Sequence, residues 1–153
     1  MPDASNMRVR PVRPEDREGW AAMRRKLFPD FDPPEIDVFF ETGRFDGFEL
    51  CAVLVAEAPG GALAGFVEAS ARPYAEGCDT TPVAYLEGWY VEDDWRGAGV
   101  GRLLVEGVEE WGRAHGLKEI ASDTQPENAT SRKAHAQLGF EEIEQIVCFA
   151  KKL

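Results

Sequence analysis

The stretch from Tyr85 to Gly116, YLEGWYVEDDWRGAGVGRLLVEGVEEWGRAHG, decides how the rest of the chain is read. Its apolar start, Tyr85, Leu86, Trp89, Tyr90 and Val91, reads as a strand. An acidic turn, Glu92-Asp93-Asp94, leads to Arg96-Gly97-Ala98-Gly99-Val100-Gly101, after which Leu103, Leu104, Val108 and Trp111 recur at helical spacing. A strand, a glycine turn and a helix start together make an anion cradle. The first helical turn carries N–H groups without intrahelical partners, at the positive end of the macrodipole. Glycines at 97, 99 and 101 let a diphosphate approach those groups, and Arg96 and Arg102 add charge on either side. A turn that only reverses the chain has no need of three alternate glycines. The two standard nucleotide patterns fit badly: no Gly-Lys-Ser/Thr follows, and the spacing is G-x-G-x-G where a dinucleotide fingerprint needs G-x-G-x-x-G.

Working outward, Met7–Val12 alternates and predicts a first strand, and Pro14-Glu15-Asp16 opens a helix closed by Arg24, Arg25 and Lys26. Trp20, Met23 and Leu27 share its inward face. A second helix is expected from Asp32 to about Glu41, stopped by Gly43. Phe48–Ala56 and Ala62–Ala71 are strand-like runs joined by Pro59-Gly60-Gly61, a hairpin signal, and 72–82 is a long loop with Tyr74, Glu76 and Asp79. Tyr74 there either stacks on a ligand or packs on its own loop. Beyond the central helix, where His115 reads as a cap, Lys118–Thr124 is a fifth strand. Asn128 caps a helix running to Leu138, and Phe140–Glu144 and Ile146–Lys151 are expected to finish the sheet. The class is α+β with a mixed sheet of about seven strands and about four helices, in one domain over 7–153 behind a flexible extension, 1–6.

At 153 residues with 44% hydrophobic composition, the chain suits one core. It has no run of 18 apolar residues and no signal-peptide pattern at its start, so a soluble, cytoplasmic protein without a membrane role is expected. Cys51, Cys78 and Cys148 are scattered and odd in number, supporting neither a disulfide framework nor a metal site. The net charge of −11 is concentrated: residues 31–101 hold 14 acids against 3 bases, and the remainder balances at 14 against 14. A field of that sign repels nucleic acid and attracts polycations, although a solubilising acidic face has the same composition.

Arg96-Gly97-Ala98-Gly99-Val100-Gly101, after a strand and opening a helix, resembles the acetyl-CoA pyrophosphate loop of the GNAT superfamily of N-acetyltransferases. Gly77-Cys78-Asp79, Leu86-Glu87-Gly88, Ala121-Ser122-Asp123-Thr124, Pro126-Glu127-Asn128 and Leu138-Gly139-Phe140-Glu141-Glu142 are similar to segments of its aminoglycoside 6'-N-acetyltransferase subfamily. The resemblance covers most of residues 7–150. It implies the GNAT fold with a splayed strand pair, acetyl-CoA as cosubstrate, a polycationic aminoglycoside as acceptor, and a homodimer in which QIVCFAKK is a plausible edge. It further implies that a bulge near Gly88 frees N–H groups of Trp89, Tyr90 and Val91 for the pantetheine arm and the acetyl oxygen, and that Asn128 contacts the cofactor. The subfamily commonly has Trp where Phe28 stands at the acceptor site, and many superfamily members have Tyr where His135 stands, leaving His135 a choice among hydrogen-bonding the departing thiolate, packing and cofactor contact.

With only two histidines in the chain, the base for amine attack is expected among carboxylates. Asp123 ends a strand beside the splay, and Glu87 is a charge inside an apolar strand that needs a partner or a task. The resemblance puts both in the acceptor site, with Asp79, Tyr74 and Glu144 nearby. Asp123 is therefore the candidate base, with Glu87 and Glu144 as ammonium anchors. The alternative for Asp123 is a cap on the loop before the Asn128 helix. Two other functions remain open: acetylation of another small amine, polyamine or protein N-terminus, and non-catalytic binding of acetyl-CoA or an aminoglycoside.

Overall fold

The structure, a computed structural model, describes residues 2–30 and 34–153. Five strands lie in sequence order in one sheet: β1 (Arg8–Pro11), β2 (Cys51–Glu57), β3 (Leu63–Arg72), β4 (Val83–Val91) and β5 (Ile120–Ser122). The first four pair antiparallel, and β4–β5 is parallel. Helices α1 (Arg17–Leu27) and α2 (Pro34–Thr42) cover one face; α3 (Val100–Ala114) and α4 (Ala129–Gln137) lie on the other. The start expected for α2 at Asp32 lies outside the described residues. Among the described residues, no helix is long and apolar enough to cross a membrane.

The first residues, read above as a loose extension, form a turn of 3-10 helix, Ala4–Asn6, in which Asp3 accepts a hydrogen bond from Ser5 N. Ala4 packs against the cluster under α3. That cluster is built from Leu54, Val67, Ala69 and Leu86 of the sheet with Val100, Leu104, Val105 and Val108 of α3. The spacing of the α3 residues places them on one helical stripe. The helix ends at Gly116, φ 74°, where Leu117 N–H donates to Gly112 O at 2.9 Å and His115 serves as the cap, as expected. On the other face, Trp20 meets Phe39, Phe40 and Phe45 at centroid distances of 5.6–5.8 Å.

The sheet has five strands where about seven were expected. Among the described residues, 140–151 pair with no strand of their own chain, and Ile143, Ile146, Val147 and Phe149 are exposed. Their β-branched and aromatic composition suits a strand, but a strand forms only where a neighbouring edge supplies the ladder. Several contacts tie this segment down: Glu142 accepts from Arg132 Nε at 2.6 Å and Nη2 at 2.8 Å, and Gly77, φ 77°, faces Ile143 so closely that a Cβ would lie 2.6 Å from Ile143 Cγ1.

A buried ion pair joins β3 to α1. Glu68, in the middle of β3 and 1% exposed, accepts from Trp20 Nε1 at 2.9 Å and Arg24 Nε at 2.7 Å through its Oε2. Arg24 also reaches Glu35 on α2 at 3.6 Å and lies over the ring of Phe28. Burial pushes the Glu68 carboxyl up, against the opposing hydrogen bond and charge of Arg24. Glu68→Gln keeps the shape and leaves the Arg24 charge short of its main partner, so a loss of about 3 kcal/mol is expected in a urea melt.

Candidate active site

The site begins with one extra residue. Glu68 pairs with Gly88, but Ala69 pairs with Leu86, so Glu87 has no partner across the β3–β4 ladder and forms a bulge. In a regular strand, residues three apart face opposite sides. Here the bulge resets the phase: Tyr85 lies opposite Ser70 and Gly88 opposite Glu68, so both share the face covered by α1 and α2. Leu86, Trp89 and Val91 turn to the α3 side. The parallel ladder to β5 stops at Leu86–Ser122 while β4 runs on to Val91, which is the expected splay. Beyond it, the β5-side edge of Trp89, Tyr90 and Val91 has no strand partner among the described residues.

On the acceptor face the charged groups are linked in a chain. Glu87 accepts from Ser70 Oγ at 3.0 Å and Arg72 Nε at 2.9 Å, with a further short contact from Arg72 Nη2. The Arg72 guanidinium lies 3.7 Å from the centroid of Tyr85, and the Tyr85 hydroxyl donates to Asp123 Oδ2. Glu87 and Asp123 are thus brought to one place through Arg72 and Tyr85. The internal cation already neutralises Glu87, so its partner is supplied before any ligand arrives. Phe28 borders the same region: a Cβ at Gly88 would lie 3.2 Å from Glu68 Oε1 and 3.4 Å from Phe28 Cε2.

The cradle lies at the far end of β4. Gly97 and Gly99 have φ of 78° and 95°, conformations that disfavour side chains, and a Cβ on either would meet nothing within 4 Å. No side chain caps α3, so the N–H groups of its first turn, Val100, Gly101 and Arg102, face an open approach. Gly101 differs from the other two, because its missing side chain leaves room for Trp89, whose Cζ2 would lie 3.1 Å from a Cβ there. Ala98 N–H is bonded to Trp95 O at 3.4 Å. Arg96 holds the loop, donating to Val91 O at 3.0 Å and pairing with Asp93 at 2.8 Å, and Arg102 donates to Gln137 O at 3.1 Å.

Asn128 caps α4, accepting from Ser131 N at 3.0 Å. His135 has both ring nitrogens engaged, Nδ1 with Ser131 O at 2.7 Å and Nε2 with Ser122 Oγ at 2.8 Å, so it pins α4 to β5. Its ring also meets Trp89 and Phe140 edge-on. Tyr74 is exposed in the 72–82 loop. Asp79 is held there by its backbone: Glu119 accepts from Asp79 N at 2.9 Å, Thr80 N at 2.7 Å and the Thr80 hydroxyl. Glu144 is exposed on the C-terminal segment, and no hydrogen bond or ion pair among the described residues joins it to Glu87 or Asp123.

Sequence reasoning missed Ser70, Arg72, Tyr85 and Glu119. Arg72 had a signal, being one of three bases among 14 acids. Tyr85 was hidden as an ordinary member of an apolar run, because its face depends on the bulge.

The model of the acetyltransferase (GNAT) family matches residues 19–140. This chain belongs to the GNAT family. It is similar to the aminoglycoside N(6')-acetyltransferase type 1 of Klebsiella aerogenes, with 45% identity over 95% of this chain and 96% of that protein. It is 39% identical to the protein of the same name from Stenotrophomonas maltophilia, over 98% and 96%. Among solved structures, AAC(6')-Iy in complex with the bisubstrate analogue CoA-S-monomethyl-acetylneamine matches with a TM-score of 0.87 at 36% identity, over 97% of this chain and 100% of that one.

Within this GNAT chain, Glu119 is the anchor of the 72–82 loop. Hydrogen bonds from three donors hold its carboxyl below the ordinary range, those of Thr80 first. Glu119→Leu is expected to speed amide hydrogen exchange at Asp79 and Thr80 while leaving α3 protected.

Proposed function

We propose that this chain transfers the acetyl group of acetyl-CoA to the 6'-amine of aminoglycosides, by direct attack of the amine in a ternary complex. The observation that carries this reading is the bulge at Glu87, which turns Tyr85 and Glu87 toward the acceptor face beside a strand edge left open toward the cofactor. The names of the relatives supply the chemistry that such a juxtaposition serves.

The chain's own groups fit coenzyme A. Uncapped N–H groups at the start of α3, behind the outward-open Gly97 and Gly99, suit its diphosphate, and the unpaired edge of Trp89–Val91 suits its pantetheine amides. Bound there, it supplies an acetyl thioester. Asp123, with Oδ2 taken by Tyr85, uses Oδ1 to accept the proton of the 6'-ammonium, directly or through water, giving the neutral nucleophile. Glu87, Glu144 and Asp79 anchor further ammonium groups, and Phe28 and Tyr74 offer apolar surface to the sugar rings. A neutral acceptor would bring no cation to Asp79 and Glu144, which favours a polycation. His135 holds α4 against β5 at the cofactor side, and a coenzyme A thiol is a good enough leaving group to depart without an acid.

The exposed apolar segment from Ile146 to Lys151 supports a homodimer in which a second copy supplies its ladder. A cytoplasmic location follows from the need for acetyl-CoA. Val147→Lys puts a charge into that ladder and is expected to convert dimer to monomer in sedimentation velocity. Activity is tested by thiol release with acetyl-CoA. Kanamycin, with a 6'-amine, should be turned over, and paromomycin, with a 6'-hydroxyl, should not; mass spectrometry should locate the acetyl group at the 6' nitrogen. Equal rates with spermidine would point to a broader amine acetyltransferase, and binding without thiol release to a sequestering protein.

A further inference from the structure

Asp123 follows the last residue of β5 and is exposed, on a segment that leads to α4. A carboxylate there has free rotamers unless something holds it, and catalysis by a base depends on a fixed direction toward its proton. Among the described residues, its side-chain hydrogen bond is to the hydroxyl of Tyr85. Tyr85 is well suited to hold it. Its ring is 5% exposed, packed with Ala75 and Val83, and its outer face is covered by the Arg72 guanidinium at 3.7 Å. Arg72 is itself held by Glu87, so the ring has little room to turn.

We infer that Tyr85 is a positioning residue for Asp123: its hydroxyl fixes Oδ2 and so leaves Oδ1 directed at the incoming amine. This rests on the reading of Asp123 as the base. The charged groups around the pair are Arg72 from β3 and Glu87 from β4, one of each sign and bonded to each other. They hold the ring from the side and leave the hydroxyl to Asp123. Burial first, and then the bond to Asp123, raise the phenol well above its ordinary range, so Tyr85 remains a donor at working pH. The role exists because the bulge puts residue 85 on the face that Gly88 shares with Glu68. Were the alternation unbroken from Gly88 back through Glu87, Tyr85 would point toward α3.

The test is a double-mutant cycle on thiol release with kanamycin. Tyr85→Phe keeps the ring and its stack with Arg72 and removes only the hydroxyl, so an unchanged melting temperature is expected. Its kcat should fall about tenfold, the effect of one hydrogen bond to a charged group, with KM for acetyl-CoA unchanged. In the Asp123→Asn background, the same substitution should cause no further loss, because the hydroxyl acts through that carboxylate. An unchanged kcat in Tyr85→Phe, or an equal tenfold loss in both backgrounds, overturns the inference while leaving Asp123 as the base. Full turnover in Asp123→Asn alone overturns both.

Discussion

A ladder of backbone hydrogen bonds fixes which way every side chain of a strand must point, and β4 escapes that rule at one place only. Glu87 is inserted between Leu86 and Gly88 without a partner in β3, and every residue before it changes sides. The cofactor-side half of the strand, through Trp89 and Val91, keeps its packing against α3. Its other half brings Tyr85 to the acceptor face. The same irregularity accompanies the end of the β4–β5 ladder, so that one local insertion both turns the charged groups outward and opens an edge of backbone.

Charge placed so close to a core needs compensation, and two of the ion pairs that supply it lie along β3 and β4. Arg24 serves Glu68 under α1, and Arg72 serves Glu87 at the rim. The two pairs differ in what they do. The first is sealed by Trp20 and fixes the wall carrying Phe28. The second is partly open and pairs Glu87 with Arg72 beside Tyr85, the hydrogen-bond partner of Asp123. A polycation approaching this face meets an acidic field that is ordered from within.

Much of this was readable in the residues and some was not, for physical reasons. The cradle was legible because positive φ at Gly97 and Gly99 is a demand that few other residues meet. The Asn128 cap and the Gly116 stop were legible because they are local. The single charge inside an apolar strand, Glu87, announced a partner but not which one, and Glu68 was passed over. Their partners, Arg72 and Arg24, come from other elements. The face of Tyr85 depended on a bulge whose exact position no period reveals. The last two expected strands failed for a related reason: the β-branched and aromatic residues of 140–151 suit a strand, whereas its existence depends on a neighbouring edge, and none pairs with it among the described residues.

The contact between Gly77 and Ile143 makes the tail a lever on the loop that carries Asp79. Gly77 has no space for even a methyl group against that side chain, so a change at either position presses on the other. Evolution could therefore retune which drugs are accepted by altering residues remote from the acceptor in sequence, and without disturbing the grip on the acyl donor.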